Sequence, residues 1–217
     1  MQCFCSDGSE ANALRQLQQR AKRCQRCLDA GYPIVPGAVL SGPNTAQIMV
    51  VGQAPGVTEV ESGRPFSGSA GRRLFAWLAD AGWPEDIFRA TQYLTAITKC
   101  YPGRNKTGKG DRVPTRAEQK LCALFLESEL ALLHPRIIIP VGGLAIRHFL
   151  GQVKLADVVG YSFARGDAAL VPLPHPSGAS LWLNKPEHRQ LVTRGLDCIR
   201  RMGQEYQMLR SLGEIPT

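Results

Sequence analysis

The chain has 217 residues, 44% hydrophobic and 20% charged, with 26 basic against 18 acidic side chains and a formal net charge of +8. That is the balance of a soluble globular protein large enough to bury a core as one domain, and its basic excess fits a polyanionic partner, most simply nucleic acid. It excludes a membrane span, which needs an apolar run of roughly 18–20 residues. A disulfide framework is also disfavoured, because the seven cysteines are odd in number and no signal-peptide pattern precedes them. A cytoplasmic monomer is expected.

Residues 1–10 read as a tail. From Ala11 to Cys27, Leu14, Leu17 and Ala21 recur at helical spacing. Glycines and prolines then break regular structure over 29–45, before the buried strand at 47–51, Ile48-Met49-Val50-Val51. A loop over 52–68 leads to a helix at 69–81, with Leu74, Trp77 and Leu78 on one face and Gly82 and Pro84 ending it. A second strand is expected over 91–98 and a polar, glycine-rich loop over 101–114. Thr115 and Glu118 have the capping-box spacing for a helix that runs to His134-Pro135. Ile137–Val141 is a third strand, and Gly142-Gly143 opens a short helix to Leu150. A fourth strand near 169–173 and a helix from Pro186 to Met208 complete the pattern. Strand and helix alternate, which predicts an α/β fold: a three-layer α/β/α sandwich around a four-stranded, mainly parallel sheet, as one domain over 1–217.

Two segments carry candidate chemistry. Gly52-Gln53-Ala54-Pro55-Gly56 follows the first strand, and Gly63-Arg64-Pro65-Phe66 and Gly68-Ser69-Ala70-Gly71 follow in turn. Gly52 permits a tight turn and close ligand approach, Phe66 supplies an aromatic face for stacking, and the helix beginning near Ser69 offers a phosphate site in which Ser67 and Ser69 take part. His175, between Pro174 and Pro176 and just before Ser177, follows the last strand. A neutral histidine there can donate to an oxygen that gains negative charge. Ligands of open α/β sheets collect beyond the carboxyl ends of strands, so both segments should meet in one crevice. Leu181, with Trp182 as the alternative, is an apolar side chain placed to act as a wedge between bases. Basic residues concentrate at Arg15, Arg20, Lys22, Arg23 and Arg26, and in the loop at Arg104, Lys106, Lys109 and Arg112, where they suit DNA phosphates. Residues 103–110 nearly spell a phosphate-binding nucleotide loop, but Gly110 stands where a Ser or Thr would hold magnesium. Cys24 and Cys27 form a Cys-x-x-Cys pair compatible with metal or redox chemistry, and Cys100 and Cys122 lie far from it.

These residues together resemble the iron–sulfur uracil-DNA glycosylases, with the segment from Gly52 to Gly71 looking like family four. The resemblance implies hydrolysis of the bond between uracil, or another deaminated base, and DNA. Gly52, Gln53, Ala54, Pro55, Gly56 and Ala96 would line the base site, and Phe66 would stack on the flipped base. His175 would be the donor, and Glu59, or Glu61 beside it, would orient water. It also implies that Cys24, Cys27, Cys100 and Cys122 hold a 4Fe–4S cluster, zinc being the alternative. Two positions depart from family four: Gln53 replaces its usual Glu, and Ala96 replaces the Asn that reads uracil. A Thr-Ala pattern like that of Thr95-Ala96 occurs in family five, whose members accept a wider set of bases. The histidine with which a related branch bonds covalently to DNA has no counterpart in 110–114. The competing reading is a non-catalytic iron–sulfur protein that binds nucleic acid.

Overall fold

The computed structural model describes residues 7–108, 110–178 and 180–206. Helices α1 (Asp7–Lys22) and α2 (Arg26–Asp29) precede strand β1 (Ile48–Gly52). Helices α3 (Val57–Ser62), α4 (Ser69–Asp80) and α5 (Glu85–Thr91) lead to strand β2 (Tyr93–Ala96). After the loop come α6 (Arg116–Leu133), β3 (Ile137–Pro140), α7 (Gly143–Leu150) and α8 (Leu155–Val158). A short hairpin of β4 (Phe163–Arg165) and β5 (Ala168–Leu170), a 3-10 turn at Leu181–Asn184 and α9 (Pro186–Glu205) follow.

The strands form one sheet in the order β2-β1-β3-β5-β4. All pairings are parallel except the β4–β5 hairpin. The sheet therefore has five strands where four are expected. The added strand, β4, is a three-residue edge with little burial, and lacks the apolar run that marks the others. Alternation within β1 sorts the core into two layers. Ile48 and Val50 point toward Leu74, Leu78, Phe88, Leu196 and Ile199 of α4, α5 and α9, while Met49 and Val51 meet Leu14 and Leu17 of α1 and Phe125 and Leu126 of α6. That is the expected three-layer arrangement. The expected strand over 91–98 is shorter, because Thr91 closes α5, a helix begun by Pro84 with Glu85 and Asp86 in its first turn. The expected first helix likewise ends at Lys22, before the Cys-x-x-Cys pair. The capping box forms: Thr115 Oγ1 accepts the Glu118 N–H, and Glu118 Oε2 accepts the Thr115 N–H. Met208, the expected end of the last helix, lies outside the described residues.

A charged group sits inside the second layer. Lys99, just past β2, and Glu129 on α6 form an ion pair at 2.7 Å with almost no exposure. Lys99 Nζ also donates to Thr95 Oγ1 and to the Ala96 carbonyl, each at 2.7 Å. Thr95 Oγ1 and Tyr93 Oη donate to the Glu129 carboxylate. Removing one partner of such a pair strands the other charge, at a cost of about 3–5 kcal/mol. Glu129→Ala is therefore expected to lose stability of that order, read as a fall in the urea midpoint, whereas a substitution on the exposed face of α6 is expected to leave the midpoint nearly unchanged.

Candidate active site

A crevice of about 500 Å³ opens beyond the carboxyl ends of β1 and β2. Gly52, Gln53, Ala54, Pro55, Gly56, Glu59, Phe66, Ser69, Ala96, His175 and Ser177 line it, so both sequence segments meet as expected. Thr95, Gly110 and Asp111 join them. Glu61 and Ser67 are not among the lining residues.

Phe66 is held by unusual backbone. Its φ of 53° lies in the left-handed region, which costs a non-glycine residue free energy unless its surroundings enforce it. Two glycines make room for it here. A Cβ on Gly52 would sit 2.9 Å from Phe66 Cζ, so the ring lies directly on the end of β1, and a Cβ on Gly71 would collide with the Phe66 carbonyl. Arg89 of α5 completes the clamp, donating to the carbonyls of Pro65 at 2.8 Å and Phe66 at 2.9 Å. It is itself paired with Glu85 and stacked over Phe75.

Glu59 ties the two halves of the loop together. Its Oε2 accepts the Gly56 N–H and its Oε1 accepts the Gly68 N–H, both at 3.0 Å. These bonds cap the first turn of α3 and fix the approach to α4. Each oxygen of the carboxylate expected to orient water already serves a main-chain donor. Ser67 Oγ shares a 2.8 Å hydrogen bond with Ser62 Oγ.

His175 packs against Gly142, where a Cβ would come within 3.3 Å of the ring. Its Nδ1 accepts the Ser177 N–H at 3.3 Å, which places the proton of the neutral ring on Nε2. The surrounding crevice wall disfavours the charged imidazolium and lowers the pKa below its usual 6.5, although the side chain remains open to solvent. The ring is thus a neutral donor through the neutral pH range.

The loop over 101–114 is shaped by bridges between Val35 and Tyr101 and between Arg104 and Asp111. Arg104 and Lys106 are exposed on it, and Lys109 lies outside the described residues. Arg112 is engaged rather than free: its guanidinium makes two bonds to the buried Glu118 carboxylate and holds that carboxyl down to about 2. Leu181 is 80% exposed, whereas Trp182 packs on the core and stacks on His188 with ring centroids 4.1 Å apart. The apolar tip open to a partner is therefore Leu181.

Cys24, Cys27, Cys100 and Cys122 line one cavity, so the Cys-x-x-Cys pair meets two cysteines distant in sequence, one just after β2 and one on α6. Among the described residues, no three His, Cys, Asp or Glu side chains group as ligands of a single metal ion. Burial, reinforced by the neighbouring cysteines, pushes the Cys27 thiol up to about 11 and the Cys100 thiol up to about 12. The Lys99 N–H donates to Cys122 Sγ at 3.3 Å, and the buried Thr98 hydroxyl, which also lines this cavity, has no hydrogen-bond partner among the described residues. Four thiols, an N–H···S bond and an unsatisfied donor among apolar walls suit a group that brings sulfur acceptors. Thr98 was not marked by any sequence signal, since its role depends on where the chain turns after β2.

The uracil-DNA glycosylase superfamily model matches residues 40–197. The chain belongs to that superfamily. It is 34% identical over 154 residues to the Type-4 uracil-DNA glycosylase of Pyrobaculum aerophilum, covering 68% of this chain and 72% of that protein. It is 32% identical over 165 residues to the Type-4 uracil-DNA glycosylase of Thermotoga maritima, covering 74% and 80%. A Type-5 uracil-DNA glycosylase of Pyrobaculum aerophilum is 29% identical over 148 residues, covering 63% of this chain and 59% of that protein. The match thus spans the sheet, both crevice segments and two of the four cysteines, Cys100 and Cys122, and the relatives include both branches that the sequence resembles. In nitrogen-resolved imidazole spectra, His175 is expected to appear as the Nε2–H tautomer and to titrate with a midpoint below 6.5. A midpoint above that value would mean that a carboxylate, not desolvation, governs the ring.

Proposed function

We propose that the chain is a DNA-repair glycosylase that flips uracil, or another deaminated base, from DNA and hydrolyses its N-glycosidic bond without cutting the strand. The observation that carries this reading is one crevice at the strand ends that joins a rigidly held aromatic ring, Phe66, to a neutral histidine donor, His175. The flipped base stacks on Phe66, whose clamp of Gly52, Gly71 and Arg89 keeps the ring in place before the base arrives. As the bond lengthens, negative charge gathers on the base oxygen, and His175 Nε2–H stabilises it; one preorganised donor of this kind is worth roughly 3–4 kcal/mol. Glu59 acts as the strut that spaces Gly56 from Gly68, beside which Ser69 and the start of α4 receive a flanking phosphate. Ala96 offers the base no side-chain hydrogen bond, so the amide of Gln53, which presents both donor and acceptor, takes over reading the base edge. That exchange fits a base range wider than uracil alone.

Leu181 fills the gap left in the duplex and offsets part of the few kcal/mol of unstacking. Cys24, Cys27, Cys100 and Cys122 would hold a 4Fe–4S cluster, which when bound cross-links α1, α2 and α6 to the start of the basic loop and takes no part in the chemistry. Arg104 and Lys106, with Lys109, meet the DNA backbone, while Arg112 fixes the loop to α6.

The reading is tested with DNA carrying a single uracil or hypoxanthine, treated with alkali to reveal abasic sites. His175→Ala is expected to slow base release by about 100- to 1000-fold while DNA affinity stays near that of the parent protein. Equal release rates would remove His175 from the mechanism, and binding without any release would favour a non-catalytic nucleic-acid-binding protein. Leu181→Ala is expected to slow release from duplex several-fold and leave single-stranded substrate unaffected, because only the duplex has a gap to fill.

A further inference from the structure

One carboxylate in the crevice is unexplained by the roles above. Asp111 belongs to the basic loop, yet it lines the crevice with Gly56, Glu59 and His175. An acid on a surface that tracks phosphates weakens that surface, and the loop's neighbouring acid, Glu118, is neutralised by Arg112. Among the described residues, Asp111 forms no ion pair. It is nevertheless firmly placed. Its backbone bridges Arg104, and its Oδ1 accepts the Tyr101 hydroxyl at 2.9 Å. Its Oδ2 is packed on the main chain of Gly56, only 3.0 Å from where a Cβ on that residue would lie.

The position matters because the crevice has two ends. Phe66 lies on Gly52, and Gly52 pairs with Ala96 across the β1–β2 ladder, so the base belongs at that end. Gly56, four residues beyond Gly52, lines the crevice beside Glu59 and Asp111. Each Glu59 oxygen is held by a main-chain N–H, whereas Asp111 Oδ2 makes no hydrogen bond among the described residues.

We infer that Asp111 is the general base of this enzyme, a role that rests on the glycosylase reading and adds to it the residue that activates water. The C1′–N bond breaks with its electron pair leaving on the base. The oxygen of a water held by Asp111 Oδ2 bonds to C1′, and the proton that water sheds passes to the carboxylate and on to solvent, while the departing base anion takes up one proton. The products are an abasic sugar and a neutral free base. Tyr101 is a positioning residue, since its hydroxyl holds Oδ1 and so turns Oδ2 inward.

The test uses single-turnover base release on whichever strand, uracil or hypoxanthine, the parent protein opens faster. Asp111→Asn keeps an acceptor for Tyr101 and the side-chain shape but removes the base. Release is expected to fall by about 100-fold or more, with affinity for the same DNA unchanged or tighter because a negative charge is gone. Asp111→Ala is expected to show the same loss and to regain part of the rate with added formate, which resupplies a carboxylate. Release by Asp111→Asn within about threefold of the parent protein would overturn the proposal. So would loss of affinity matching the loss of rate, which would make Asp111 a structural residue of the loop. If the parent protein releases neither base, the glycosylase reading fails first and this role falls with it, whereas an active parent beside an unimpaired variant refutes Asp111 alone.

Discussion

The Lys99–Glu129 pair is the constraint on which both functional regions depend. A lysine ammonium buried to this degree requires compensation from every side, and it finds it in one carboxylate, one hydroxyl and one carbonyl. The carbonyl is that of Ala96, so the cation fixes how the chain leaves β2. On one side of that exit Thr95 and Ala96 face the crevice; on the other, the Lys99 N–H points at Cys122 and the chain continues to Cys100. The same few residues thus end the sheet, line the crevice and begin the cysteine cavity. Hydrophobic burial alone would leave the rotation of this segment free, whereas a buried charge with three directional partners does not.

The Phe66 end of the crevice is built by close approach rather than by many polar groups. Phe66 can lie on the end of β1 only because residue 52 lacks a side chain, and its left-handed backbone is tolerated only because residue 71 lacks one. Arg89 then binds the two carbonyls that this turn leaves without helical partners. The strain is offset by packing outside the crevice, so the ring is rigid at the mouth without a hydrogen bond of its own. Preorganisation of this kind lowers the entropy that base binding must overcome, and it accounts for a sequence spacing from Gly52 to Gly71 that a flexible loop would not need.

Much of this was legible in the sequence, for a physical reason. Strands buried on both faces read as unbroken apolar runs, so Ile48–Val51 and Ile137–Ile139 were plain, and the capping box at Thr115 and Glu118 marked a helix start by local chemistry alone. The meeting of the Gly52 and His175 segments followed from parallel topology. What escaped was whatever depends on contacts between distant positions. The β4 edge strand buries too little to leave a pattern. The resemblance marks Glu59 as a water-orienting acid, but its bonds to the Gly56 and Gly68 N–H groups are visible only once the fold brings those residues to it. Arg112 reads as a phosphate ligand until Glu118 is seen beneath it. Asp111 carries no local signal, because nothing in the sequence around it reveals that the loop folds back over Gly56.

The loop from Tyr101 to Pro114 joins these parts, and its two ends explain how the cysteine cavity bears on catalysis. Cys100 stands immediately before it, and Cys122 lies on the helix that follows it. Val35 pairs with Tyr101 at the start, and Arg112 is anchored to Glu118 at the finish. Between those anchors the loop sends Arg104 and Lys106 outward and Asp111 inward, a division that its bridged backbone maintains. The sheet beneath is buried by apolar contacts in two layers, and the second of them includes Cys122, with Cys24 and Cys100 packed against it. Cys100 and Cys122 thus flank the loop while packing into the second layer, and Tyr101, one residue past Cys100, holds the Asp111 carboxylate at the crevice.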